Sequence, residues 1–358
     1  MLITEANDLD PLPSFRRGMV IPAHPLALDA SRQLDEKRQA ALTRYYLESG
    51  AGGIAVGVHT TQFEVHEPER GMLAPVLELA AETAGDYADR SPLLVAGICG
   101  STEQAVAEAE LAASYGYQLS LLAPYGAGQL TDDELLDRTR AVGEVLPVIG
   151  FYLQPAVGGR LLSRSFWRRL ADIPSVVGLK VAPFDRYATL DVVHGVADSP
   201  RSEDVTLYTG NDDHIVGDLL AVYPRGAQFV GGLLGQWAVW VRNAVDLLGL
   251  THRAKAGDDR ALREALAIDA ALTDANSAIF DPDNNFHGCI PGIHEVLRRQ
   301  GLLAGTWCLN ERETLSAGQM QEIDRIWAAY PQLRDDQFIA ENLDRWLAGG
   351  RSTTAPVR

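Results

Sequence analysis

The chain has 358 residues, 46% of them hydrophobic and 22% charged, which suits one large globular domain, or a domain with an extension, and excludes a disordered or fibrous protein. A formal net charge of −17 at pH 7 works against nucleic acid or anionic membranes as partners, since both attract basic surfaces. Cys99, Cys289 and Cys308 are too few and too far apart for a disulfide framework or a zinc motif. The N-terminal segment has no apolar signal core and no run is long enough to cross a bilayer, so a soluble, cytoplasmic protein is expected.

In chain order, short apolar runs predict strands over 18–23, 53–58, 93–98, 118–122, 148–152, 176–181, 204–208 and 227–230. Helical patterns lie between them. Over 35–49, Ala41, Leu42, Tyr45 and Tyr46 share one stripe, and Gly50 is placed to end the helix. Further helices are predicted over 102–115, 131–145, 165–171 and 213–222. Thr131 is placed to cap one of them, with Asp132, Asp133 and Glu134 favoured by the macrodipole in its first turn. After residue 250 the strand signals stop and helices are predicted over 260–273, 292–300, 317–327 and 336–347, with 1–16 and 349–358 as arms or frayed tails.

Eight strand–helix repeats fit a closed barrel or an open doubly wound sheet. No G-x-G-x-x-G follows the first strand and no G-x-x-x-x-G-K-[ST] occurs, so nucleotide-binding open sheets lose their main support. The expected fold is an α/β (β/α)8 TIM barrel over residues 1–250 with a C-terminal α-helical extension over 251–358.

One residue breaks the pattern. Lys180 sits in Ser175-Val176-Val177-Gly178-Leu179-Lys180-Val181-Ala182, a run that otherwise reads as a fully buried parallel strand. An ammonium in such a place costs several kcal/mol unless it loses its proton or finds a partner. A lysine kept partly neutral is what an amine nucleophile requires, because the free base attacks ketones to form Schiff bases. The alternative is a strand-end lysine that snorkels to solvent or pairs with Asp185. Only Lys37 and Lys255 accompany it in the chain. In a barrel, Lys180 and Tyr152 would both lie near strand C-termini, where such folds place their chemistry.

With Gly178-Leu179-Lys180 as its lysine strand, the chain resembles the dihydrodipicolinate synthase / N-acetylneuraminate lyase family of Schiff-base-forming barrels. Phe151-Tyr152-Leu153-Gln154-Pro155 is similar to the family's Y-N-x-P segment, Pro124-Tyr125 to its T-P-Y-Y loop, and Tyr208-Thr209-Gly210-Asn211-Asp212 to its S-G-D-D turn. The resemblance covers roughly residues 18–330. It implies a lyase that needs no cofactor or metal and acts on pyruvate or another 2-keto acid by retro-aldol cleavage, condensation or dehydration. It implies Lys180 as the imine-forming residue, Tyr152 as proton shuttle, Tyr125 at the substrate, and a homo-oligomeric assembly.

The departures shape the expectations. The family's carboxylate-binding G-T-T-G-E becomes Gly57-Val58-His59-Thr60-Thr61-Gln62. A two-residue shift puts Thr60 and Thr61 in the binding role, while the unshifted alignment gives it to His59. Gly126 replaces the second tyrosine of T-P-Y-Y. The synthases' arginine after Y-N-x-P is absent, with Arg160 only nearby, which points toward cleavage or dehydration of a hydroxylated 2-keto acid. The cluster Asn211-Asp212-Asp213-His214 reads as helix-capping residues. Two other readings stand beside this one: a metal-dependent barrel using His24, His59, His66 and His214, and a non-catalytic keto-acid-binding protein.

Overall fold

The computed structural model describes residues 12–350. The eight apolar runs form strands β1 (Val20–Pro22), β2 (Gly53–Val56), β3 (Leu93–Ile98), β4 (Leu119–Leu122), β5 (Val148–Leu153), β6 (Val176–Ala182), β7 (Thr206–Thr209) and β8 (Phe229–Leu234). All pair in parallel in the order β1-β8-β7-β6-β5-β4-β3-β2, and a bridge between Ala23 and Ala55 brings β1 to β2 and closes the ring. This is the expected (β/α)8 barrel.

A helix α1 (Leu12–Arg17) precedes β1. Helices α2 (Glu36–Ser49), α3 (Leu73–Gly85), α4 (Thr102–Ser114), α5 (Asp132–Gly143), α6 (Arg164–Ala171), α7 (Arg186–Ala197), α8 (Ile215–Leu220) and α9 (Val241–Lys255) follow the successive strands. Local chemistry sets their ends. Asp35 accepts the Arg38 amide at the start of α2, and Gly50 stops it in the left-handed conformation at φ 100°. At α5, Thr131 and Glu134 form a reciprocal capping box.

Because every strand is covered on both faces, the apolar side chains divide into two layers. Ile21, Ala55, Val95, Leu121, Ile149, Phe151 and Leu233 fill the barrel interior. Val20, Ile54, Leu94, Tyr152, Leu179 and Val181 pack outward against the helices.

The expected N-terminal arm is only partly an arm. Its last residues form α1, whose buried Phe15 stacks on Tyr208 at 4.6 Å and closes the base of the barrel. The Tyr208 hydroxyl donates to the Phe15 carbonyl at 2.7 Å. Residues 1–11 and 351–358, the rest of the expected arm and most of the expected tail, lie outside the described residues.

The extension consists of α10 (Asp259–Phe280), α11 (Cys289–Arg299), α12 (Gln319–Ala329) and α13 (Asp336–Leu347). The expected division at residue 250 falls inside α9. Asp335 shows how firmly the two parts are tied: its carboxylate accepts from Tyr45 Oη at 2.7 Å, the Arg242 amide at 3.2 Å and Gln300 Nε2 at 3.1 Å.

Candidate active site

Period-two alternation on β6 turns Lys180 into the barrel, with Leu179 and Val181 outward. Its Nζ lies 4.3 Å from the centre of the Phe151 ring, which sits opposite it on β5. Burial lowers the lysine's affinity for its proton, and the Asp212 carboxylate opposes that shift. Asp185 is not its partner: that side chain caps α7 by accepting the Ala188 amide at 2.7 Å. Gly210, at the exit of β7, makes room for the lysine. A Cβ there would stand 2.8 Å from both Lys180 Cε and Ala182 Cβ.

Lys180 opens into an inner chamber of about 50 Å³, lined among others by His59, Thr60, Phe151, Asp212, Phe280, Phe286 and Cys289. At about 10–15 Å³ per water on this measure, that is room for a small molecule only. His59, Val157 and Phe286 also border an outer chamber of about 540 Å³ that reaches Glu64, Tyr125, Asn284, Asn285, Asn310 and Glu313. Phe184 and Phe286, meeting edge to face at 5.5 Å, both have left-handed backbones, at φ 53° and 63°. Bulky residues hold that conformation only where their surroundings impose it.

The two threonines part company. The Thr61 hydroxyl donates to the His24 carbonyl at 2.6 Å and accepts the Gly57 and Val58 amides at 3.0 and 3.2 Å, so its bonding capacity goes to the backbone. The Thr60 hydroxyl is buried, borders the inner chamber and has no partner among the described residues. His59 borders it too. Burial, helped by Lys180, lowers its imidazole to about 4, so it is neutral near pH 7. Tyr125 stacks on Phe63 at 4.3 Å, is 37% exposed, and belongs to the outer chamber.

Tyr152 requires a correction. It does not face the amine. It lies on the outward face of β5, its ring 4.7 Å from Trp167 of α6 and its phenol oxygen at the Leu162 backbone. The strand runs on to Leu153, so alternation turns Phe151 and Leu153 inward and Tyr152 away. Arg160 is also elsewhere, bonded to Asp132 and to the Leu130 carbonyl.

Asp212 is the residue the sequence reading misplaced. It does not cap α8, whose N-cap position is His214 without a side-chain cap. Its Oδ1 accepts the Gln236 amide at 2.7 Å and its carbonyl accepts Asn276 Nδ2 at 2.6 Å, which hold it at the chamber wall. Below it, buried Asp218 accepts Thr209 Oγ1, Asn211 Nδ2, Tyr223 Oη and Arg186, and so fixes the whole turn after β7. Burial raises the Asp212 carboxyl well above the usual carboxylate range, with the Gln236 amide and Lys180 pulling the other way.

The four histidines of the metal-dependent reading do not converge. His24 is held by the Pro25 carbonyl and Thr43 at 2.8 and 2.9 Å, and His66 lies between the Gly57 carbonyl and Glu108 at 2.7 and 3.0 Å. Among the described residues no three His, Cys, Asp or Glu side chains form a group able to hold a metal ion. Nor is any described helix long and apolar enough to cross a membrane.

A (β/α)8 barrel with a buried lysine at its C-terminal mouth, its hold on the proton weakened by burial, defines a class of amine-nucleophile enzymes. Residues 16–327 match the Dihydrodipicolinate synthetase family, and the chain belongs to it. Its members are lyases, pyruvate-dependent aldolases that work through a Schiff base. The 4-hydroxy-tetrahydrodipicolinate synthase of Halorhodospira halophila is 28% identical over 277 residues, 75% of this chain and 84% of that one. N-acetylneuraminate lyase 2 of Escherichia coli is 26% identical over 60% of this chain and 68% of its own length. Two solved structures share the fold: dihydrodipicolinate synthase from Acinetobacter baumannii with pyruvate (20% identity, TM-score 0.70, 88% and 98% of the two chains covered) and N-acetylneuraminate lyase from Fusobacterium nucleatum with pyruvate (19%, TM-score 0.69, 88% and 97%).

Proposed function

We propose that this chain is a Schiff-base lyase in which the Lys180 amine attacks the ketone of pyruvate or of a hydroxylated 2-keto acid. The observation that carries the reading is the lysine itself, buried against Phe151 in a chamber sized for a small molecule, where burial favours the free amine. The pyruvate complexes of two barrels of the same fold support the choice of keto acid. The unpartnered Thr60 hydroxyl suits the substrate carboxylate, while Thr61 is committed to the backbone.

For the rest of the substrate, the outer chamber offers Asn284, Asn285, Asn310, Glu64, Glu313 and the Tyr125 hydroxyl, and no arginine or lysine among the described residues. Such a lining suits a hydroxylated chain more than a second anion. With Arg160 engaged by Asp132, we favour cleavage or dehydration of a hydroxylated 2-keto acid over condensation with an acidic aldehyde. Sodium borohydride with pyruvate should add irreversible mass to Lys180, and Lys180→Ala should lose both the label and turnover. A label on Lys37 or Lys255 rejects the assignment. A panel of 2-keto-3-deoxy sugar acids, scored for pyruvate release and for dehydration, selects the reaction.

A further inference from the structure

A lysine imine needs a proton carrier beside it, and the expected tyrosine is absent. Opposite Lys180 on β5 stands Phe151, and opposite it on β7 stands Tyr208, whose hydroxyl is turned to the barrel base to donate to Phe15. Tyr152 faces α6. Among the described residues no tyrosine borders the inner chamber.

We propose that Asp212 is the proton carrier of this site, giving a proton to the oxygen that leaves as water when the imine forms and then taking one from C3 of the keto acid. The proposal rests on the Schiff-base reading and names a catalytic group within it. Asp212 borders the same chamber as Lys180. Its Oδ1 is pinned by the Gln236 amide at 2.7 Å, while Oδ2 lies beside Gly235, 3.6 Å from where a Cβ would stand. The fixed Oδ1 holds the carboxyl at the chamber wall.

The other titratable groups of the chamber are less suited. Neutral His59 has little affinity for a proton near pH 7, and burial raises the Cys289 thiol so far that it keeps its own. Asp212 differs because burial disfavours its charge and the lysine's together, which brings their proton affinities close enough for a proton to pass readily between them. Asp213 adds to the rise, and Cys289 faces the carboxyl from α11.

The steps balance. The amine adds to C2, and its proton passes to the carbonyl oxygen to give a neutral carbinolamine. The Asp212 carboxylic acid protonates that hydroxyl, the C–O bond breaks, and water leaves with an iminium and a carboxylate facing each other. The carboxylate then removes a C3 proton, the C–H pair becomes the C2–C3 double bond, and the iminium pair returns to nitrogen. Enamine and carboxylic acid remain.

Pyruvate alone tests this, through C3 hydrogen–deuterium exchange followed by NMR and borohydride trapping read by mass. Asp212→Asn keeps an oxygen for the Gln236 amide, and labelling of Lys180 reports that its chamber is intact. The expected result is an exchange rate lower by roughly 10²–10⁴-fold, with Lys180 still labelled on longer incubation. Asp212→Glu should recover part of the exchange. Exchange by Asp212→Asn within about threefold of wild type, or no gain from Glu over Asn, overturns the proposal while leaving Lys180 as the nucleophile. A wild-type protein that pyruvate and borohydride never label overturns the Schiff-base reading and this role with it.

Discussion

Replacing Thr60 and Thr61 one at a time by valine separates two hydroxyls that adjoin in sequence but have opposite duties. Valine keeps the shape and deletes the oxygen. At Thr61 the deletion strands three buried backbone groups: the Gly57 and Val58 amides and the His24 carbonyl. A buried polar group left unpaired costs about 1–3 kcal/mol, and partial relaxation keeps the sum below simple addition, so about 2–5 kcal/mol of stability should be lost. For a chain of this size each kcal/mol moves Tm by roughly 1–1.5 °C, which predicts a drop of about 3–7 °C. At Thr60 the deleted hydroxyl has no partner among the described residues, so Tm should stay or rise slightly. A hydroxyl bonded to a carboxylate contributes about 1.5–3 kcal/mol, so KM for the keto acid should rise by roughly 10- to 150-fold at Thr60→Val. Differential scanning calorimetry and steady-state kinetics on the two variants provide the readouts. A stable Thr61→Val with raised KM beside an unaffected Thr60→Val would refute the assignment.

Tyr152→Phe should retain near-wild-type turnover and lose no more than about 1 kcal/mol, because the ring packs on Trp167 and only the contact with the Leu162 backbone goes. A loss of 10²-fold or more in kcat would return the residue to the chemistry. Gly210→Ala should cut kcat by about 10²-fold at modest cost in Tm, since its methyl, 2.8 Å from Lys180 Cε, must push the amine aside. Borohydride labelling of that variant should slow in parallel. His24, buried and neutral, has its pKa lowered from 6.5 to about 4 by desolvation, against the Pro25 hydrogen bond. The unfolded chain therefore binds the proton first, so this stability is present above pH 6.5 and is lost, by about 3 kcal/mol, as pH falls to about 4. Thermal melts across that window should be shallower for His24→Gln, and equal slopes for the two proteins would contradict the shift.

The barrel was legible because each strand announces itself as an apolar run and the capping chemistry at Asp35, Gly50 and Thr131 marks helix ends without tertiary help. Lys180 was legible for the inverse reason, as a charge where none belongs. Tyr152 was not. In Val148–Leu153 every residue is apolar, aromatic or glycine, so nothing in the strand says which face points inward, and the spacing to Pro155 suggested the wrong one. A shift of one residue moves a side chain through the sheet, from beside the amine to beside Trp167. Asp212 was hidden by a sound local argument, since acids before a helix usually cap it. Here α8 starts only at Ile215, and the acid is instead held by the Gln236 amide beyond β8, a contact that local sequence cannot show.

The wall of the inner chamber is drawn from two distant stretches of chain. Lys180, Thr60 and Asp212 belong to the barrel, but Phe280, Phe286 and Cys289 belong to the helical extension. On the proposed reading, bond making and molecular selection are therefore written in separate passages of one gene product. Substitutions around residues 280–290 can reshape what enters while the amine, hydroxyl and carboxyl keep their places. A lineage could thus exchange one substrate for another by revising a helix junction, with the eight strands left as they are.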